Sequence, residues 1–130
     1  MKITTDTAGA PDAAPLGETD VELEAQDWVC CVACGGRLAR ERTCIDVDGS
    51  HQHSFMNPSG LRFVVACFAA APGCVAQGEP STVWTWFPGR AWQIALCKAC
   101  AVHVGWSFHA SESSPFHALI ADRIASEARS

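Results

Sequence analysis

Residues 85–100 read TWFPGRAWQIALCKAC, and two features of this stretch decide the fold. The first is Cys97-Lys-Ala-Cys100, a pair of thiols two residues apart. The second is a pair of tryptophans, Trp86 and Trp92, on either side of the turn Phe87-Pro-Gly-Arg-Ala91. C-x₂-C spacing lets a tight turn aim both sulfurs at one ion about 2.3 Å away. A matching pair, Cys31-Val-Ala-Cys34, lies upstream, and Gly35 after it permits a sharp exit. Together Cys31, Cys34, Cys97 and Cys100 form a Cys₄ set with no open position, the pattern of a structural Zn²⁺ site, because catalytic zinc keeps a position for water. The residues between Cys34 and Cys97 number 62 (97 − 34 − 1), well beyond the roughly 15–20 of a simple zinc ribbon. The ion is therefore expected to pin two distant parts of one fold. A redox dithiol is the rival reading. It needs an exposed, acidic thiol at a helix start, and neither pair opens a convincing helix. Cys30 adjoins Cys31 but has the wrong spacing to Cys34. Cys44, Cys67 and Cys74 read as small buried hydrophobes.

Outward from this stretch, the punctuation is that of β-structure. Turn signals recur at Gly35-Gly36, Asp48-Gly49, Asn57-Pro58-Ser59-Gly60, Pro72-Gly73, Gly78-Glu79-Pro80 and Pro88-Gly89. Strands are expected over 61–66, 82–86, 92–96 and 102–108. Helical period is visible only over 119–128. The expected class is all-β, or β with one terminal helical turn, in a domain spanning 27–130. Residues 1–26, rich in Ala, Pro, Gly, Thr and acids, are expected to form a flexible acidic tail, because they bury too little apolar area to offset chain entropy.

Composition narrows the function. Hydrophobic residues make up 48% and charged residues 18%, and the net charge is −5. Nine scattered Lys and Arg residues give no surface for neutralising phosphates, which argues against nucleic acid. The N-terminal stretch lacks the apolar region of a signal peptide, and no run reaches the roughly 18 apolar residues of a membrane span. A cytoplasmic protein is expected, with no membrane partner. Thiols stay reduced there, so eight cysteines point to metal.

Four of the five tryptophans fall between positions 84 and 106, with Phe108 close behind. If 82–86 is a strand, Trp84 and Trp86 alternate on it, and Trp86 and Trp92 flank one hairpin on a common face. Such indoles can be core, since each removes about 150–250 Å² from water, or they can wall a box for a ligand. An aromatic cage for a quaternary ammonium commonly enlists a carboxylate. From Ser81 to Trp106 there is no Asp or Glu, so the pattern favours a neutral ring over a cation.

With these residues in view, Asn57-Pro58, TWFPGRAWQIALCKAC and HVGWSF (103–108) together resemble the thalidomide-binding, or CULT, domain of cereblon. The likeness runs from about Cys31 to Ala125 and is greatest to single-domain bacterial homologues. It implies the β-tent: two antiparallel sheets meeting at an angle, pinned by Cys₄ zinc. It also implies a tri-tryptophan cage of Trp86, Trp92 and Trp106, closed on one side by Phe108. Backbone groups of Trp84 and Trp86 would hold the imide, Asn57 and Pro58 would edge the pocket, and Phe63 would line it. Trp84 stands where cereblon has His, so the rim should differ. The implied partners are glutarimide, succinimide or uridine-like rings, and protein C-termini bearing a cyclic imide.

Two enzyme readings compete with a binding module. Methionine sulfoxide reduction shares the fold but needs a late nucleophilic Cys, and none follows Cys100. Imide or nucleoside processing needs a base, which His51, His53, His103, His109 or His117 could supply. No nucleophile or open metal accompanies them in the sequence, so no catalytic residues are assigned.

Overall fold

The computed structural model describes residues 27–127; the expected acidic tail, 1–26, lies outside them. The described chain is all-β, with nine strands and two single-turn 3-10 segments. In order they are β1 (Trp28–Cys31), β2 (Arg37–Arg40), β3 (Gln52–Met56), β4 (Arg62–Phe68), β5 (Cys74–Ser81), β6 (Ala91–Cys97), β7 (His103–Ala110), β8 (Ser113–Ile120) and β9 (Ile124–Ser126). A small antiparallel sheet has the order β2-β1-β9, and a larger one the order β3-β4-β8-β7-β6-β5. Among the described residues, no helix is long and apolar enough to cross a membrane.

Two apolar clusters hold the sheets. One, built from Val29, Leu38, Ala39, Phe68, Val104 and Leu119, joins the small sheet to the larger one. The other, with Val65, Phe87, Phe108, Phe116 and Ile120, lies beneath the tryptophans. Close backbone approach is needed at two glycines. A Cβ on Gly105 would come 2.2 Å from the Ala118 carbonyl oxygen, and one on Gly73 1.8 Å from that of Arg37. Gly73 earns this contact: its N–H donates to Leu38 O (2.9 Å) and its C=O accepts from Lys98 N–H (2.8 Å), tying small sheet to second knuckle.

Three expectations are corrected. Residues 82–86 are not a strand: β5 ends at Ser81, and the chain turns. The Ser81 hydroxyl accepts from Val83 N–H at 3.1 Å, and Trp84 takes a φ of 59°; local hydrogen bonding of this kind competes with a ladder. Nor is 119–127 a helix, and residue 128 of the expected stretch lies outside the described residues. β8 runs to Ile120, a 3-10 turn covers Ala121–Arg123, and β9 pairs antiparallel with β1 through Val29↔Ser126, Cys30↔Ala125 and Cys31↔Ile124. Pairing with a distant strand overrides a short stretch of weak helical preference. Finally, Cys44 is exposed and Cys74 half-buried, so of the three spare cysteines read as core only Cys67 is fully buried.

Candidate metal centre and aromatic cavity

The two knuckles repeat one backbone design. In the first, Gly35 N–H donates to Cys31 O (2.7 Å) and Cys31 N–H to Gly36 O (2.8 Å). In the second, Ala101 N–H donates to Cys97 O (2.7 Å) and Cys97 N–H to Val102 O (2.8 Å). Both turns need a left-handed residue at the same place, and Gly35 (φ 78°) and Ala101 (φ 68°) occupy it. Gly36 N–H also reaches Cys34 Sγ at 3.3 Å.

These turns bring the four sulfurs within 4.8 Å of one another. Cys31 Sγ lies 3.8 Å from Cys100 Sγ, and Cys34 Sγ 3.6 Å from Cys97 Sγ. A tetrahedron with 2.3 Å bonds has edges of about 3.8 Å, so the set fits a four-coordinate ion. Cys31 and Cys97 are buried while Cys34 and Cys100 face out. Protons are unevenly held across the cluster. For Cys97, burial raises the pKa, but the Cys100 and Ala99 backbone amides and the neighbouring thiols bring it down to about 7. For Cys34, the Gly36 amide lowers it, but the crowding thiols of Cys97, Cys100 and Cys31 push it up to about 12. Four thiolates this close need a cation to coexist. Among the described residues, no other group of three or more candidate ligands comes together. Burial raises the thiol pKa of Cys30, Cys67 and Cys74, to about 11 for Cys67 and about 12 for Cys74, which keeps them protonated.

A cavity of about 350 Å³ opens over the second apolar cluster. Asn57, Pro58, Trp84, Trp86, Trp92, Ile94, His103, Trp106 and Phe108 line it. Trp92 and Ile94 project from β6, and Trp106 and Phe108 from β7, where Trp92 faces Phe108 and Ile94 faces Trp106 across the ladder. Trp86 comes from the 82–90 loop rather than a strand. Phe55 stacks flat on it at 4.7 Å and 10°, and Trp106 meets it edge-on at 4.7 Å and 69°. Buried Phe87, next to Trp86, plugs the core against Phe108 and Phe116. The loop is tied down by Trp92 Nε1–H, which donates to Val83 O at 2.7 Å. Among the described residues, no hydrogen bond engages the backbone N–H or C=O of Trp84 or Trp86.

Of the sequence candidates, Trp84, Trp86, Trp92, Trp106, Phe108, Asn57 and Pro58 share this cavity, whereas Phe63 does not line it. Phe63 stands behind, 5.2 Å from Trp106 and 6.1 Å from Trp86. The Asn57 carboxamide oxygen is occupied by its own turn, accepting from Ser59 N–H, Ser59 O–H and Leu61 N–H at 2.9–3.1 Å. Its first task is to shape the β3–β4 hairpin. Two lining residues escaped sequence reasoning. Ile94 could have been found, since it shares the period-two face of Trp92. His103 could not: a bulge between Ala95 and Leu96 shifts the register opposite it. His103 Nε2 pairs with Gly105 O at 2.9 Å and its ring stands edge-on to Trp106 at 4.8 Å. Burial lowers its pKa, the Gly105 bond opposes this, and Arg123 adds to the fall, so the imidazole is neutral. Of the other histidines, His51 and His53 bind backbone carbonyls of the 45–50 turn. His109 and His117 do not line the cavity. With His103 neutral and no carboxylate in the wall, the lining is uncharged.

No family model matches the chain. Curated proteins that resemble it are named Protein cereblon. The one from Drosophila mojavensis is 63% identical over 98 residues, covering 69% of this chain and 14% of the relative. That from Drosophila virilis is 37% identical over 101 residues, covering 72% and 15%. That from Drosophila melanogaster is 40% identical over 88 residues, covering 62% and 14%. The chain thus spans about 15% of the length of these relatives. The match covers 62–72% of this chain, and the chain carries a CULT-like domain of the cereblon type.

Proposed function

We propose that this domain is a binding module for small, neutral cyclic imides and uracil-like rings, held by Trp86, Trp92 and Trp106 with Phe108 at one side. The observation that carries the reading is an uncharged cavity of about 350 Å³ walled by three indoles, next to backbone groups that no partner engages among the described residues. An imide edge presents acceptor, donor, acceptor, which matches the N–H and C=O groups of Trp84 and Trp86. Its carbon skeleton stacks on indole. Hydrogen bonds in a dry box are worth more than in water. A bare glutarimide is so small that micromolar binding, about −8 kcal/mol, already demands high efficiency per atom. Ligands therefore include glutarimide, succinimide and uridine, and peptides ending in a cyclic imide. Asn57 and Pro58 edge the site, and Phe63 supports it from behind.

The companion proposal is that Cys31, Cys34, Cys97 and Cys100 hold structural zinc, which suits a reducing, cytoplasmic setting. Calorimetric titration tests the cavity. Wild type takes up one ring, and Trp86→Ala takes up none at millimolar ligand. Undiminished binding to that variant refutes the cage. Because His103 lines the cavity, ring opening is followed in the same samples. An intact ring after prolonged incubation supports a binder over a hydrolase.

A further inference from the structure

Strand β5 places a fifth thiol beside the metal centre. Cys74, its first residue, pairs with Cys97 across the β5–β6 ladder. Directly opposite residues project from the same face of a sheet, so the two thiols share a side. The hydrogen bonds show which kind of pair this is. Cys97 N–H donates to Val102 O and Cys97 C=O accepts from Ala101 N–H, so both backbone groups of Cys97 face the knuckle rather than β5. Cys74 N–H turns away as well, to Ala71 O. The two are therefore a non-hydrogen-bonded pair, the class with the closer Cα atoms, about 4.5 Å apart, and the closer side chains. A disulfide spans Cα separations of about 4.4–6.8 Å, so this pair can be bridged without parting the strands. Packing sets Cys74 apart too. It lies against the apolar cluster that contains Cys31 and Cys97, whereas Cys67 belongs to the other cluster and Cys30 and Cys44 to neither. Solvent reaches the same place. An open cleft of about 500 Å³ has Trp28, Gly36, Arg37, Gly73, Cys97 and Lys98 in its wall. A small solute thus meets the otherwise buried Cys97 there, one residue from Cys74 at Gly73. Arg37, bonded to Glu127 at 3.0 Å, and exposed Lys98 give the wall positive charge. Fixed positive charge stabilises an anion that develops during a reaction.

We propose that Cys97 and Cys74 form a redox-modification site whose substrate is a hydroperoxide. The Cys97 thiolate attacks one oxygen of hydrogen peroxide. The O–O bond breaks, hydroxide leaves, and Cys97 becomes a sulfenic acid. The Cys74 thiol then attacks that sulfur. An S–S bond forms, the S–O bond breaks, and the Cys74 proton departs with the hydroxyl as water. Each sulfur gives up one electron and the peroxide takes two, so thiolate, thiol and hydrogen peroxide become disulfide, water and hydroxide. Cys34 Sγ is a nearer rival, 3.6 Å from Cys97 Sγ, but a bridge between two ligands withdraws both thiolates from one ion. Cys74 stands outside the four-sulfur set, so its bridge withdraws only one. With Cys97 gone the clasp between the sheets opens, while the new bond keeps β5 on β6. The opening of the clasp rests on the zinc reading above; the pairing of the two thiols does not.

The test exposes the metal-loaded full chain to hydrogen peroxide, maps disulfides by mass spectrometry after alkylation, and follows metal release with a chromogenic chelator. The expected first disulfide is Cys74–Cys97, formed in step with metal release and undone by dithiothreitol. Cys74→Ala should release metal about tenfold more slowly at the same peroxide, because a neighbouring thiol acts at an effective concentration that thiols in solution do not reach. Cys44→Ala, which removes an exposed thiol outside both clusters, should behave as wild type. A first disulfide joining two of Cys31, Cys34, Cys97 and Cys100 overturns the proposal, and so does release at the wild-type rate from Cys74→Ala. The wild-type map needs no variant, so it decides the pairing even where Cys74→Ala folds poorly. Protein that takes up no zinc refutes the metal reading, and the disulfide map still decides whether Cys74 is the partner of Cys97.

Discussion

Trp86 is gripped from three directions, with Phe55 stacked flat, Trp106 edge-on and Phe63 tilted. Removing its indole deletes a wall of the cavity and the partner of each of these rings. Trp86→Ala should lose roughly 2–4 kcal/mol of stability, visible as a thermal midpoint lower by about 10 °C or more, and should abolish ring binding. Gly105 is more demanding still. Any side chain there meets the backbone of β8, so Gly105→Ala is expected to abolish folding, read from the loss of dispersed amide resonances. The pH dependence follows from two histidines. His117 is lowered in pKa by burial and then by His109, and His103 by burial and then Arg123. The unfolded chain takes up protons near pH 6.5, whereas these folded imidazoles resist them. Their contribution is complete above about pH 6.5 and is lost as pH falls from there toward the lowered folded values. Denaturant midpoints measured from pH 7.5 to 5 should drop, and His117→Asn should flatten that slope with the four cysteines untouched. A slope unchanged by His117→Asn removes this residue from the account. At this scale the sequence was readable where chemistry is carried by residue type. The tryptophans and matched cysteines announced themselves, but His103 did not, because a bulge decides which way it faces.

Between residues and domain, the knuckles behave as interchangeable parts. The first meets its left-handed requirement with Gly35, and a Cβ there would touch nothing within 4 Å. The second uses Ala101. Swapping each residue for the other's therefore isolates backbone conformation from packing. Ala101→Gly should stabilise by about 0.5–1 kcal/mol, and Gly35→Ala should destabilise by about 1–2 kcal/mol, both read from thermal melts of the metal-loaded protein. Opposite signs are essential; a loss in both would mean that the Ala101 methyl packs. Strands β6 and β7 were legible because apolar and aromatic residues sit between turn signals. The 82–86 segment misled because its turn is made by Trp, not by the glycine that marks such turns. The final segment misled because β9 is defined by β1, nearly one hundred residues earlier, and no local pattern encodes such a partner.

For the molecule as a whole, the four-cysteine cluster is a clasp between sheets: Cys31 ends β1 of the small sheet and Cys97 ends β6 of the large one. Structural zinc at neutral pH is worth about 10–16 kcal/mol, comparable with the entire stability of a domain this size. A high-affinity chelator is accordingly expected to unfold the protein. Tryptophan emission should move to the red and ring binding should vanish together, with one zinc released per chain by elemental analysis. Native emission after complete metal removal contradicts a structural role. The order of strands in the small sheet has a last consequence, for biosynthesis. Its central strand, β1, is made before either of its neighbours and waits for β9, which follows it by nearly one hundred residues. Even a nascent chain that has exposed both knuckles still offers one bare strand edge, so the finished architecture is reached only after translation has passed residue 126.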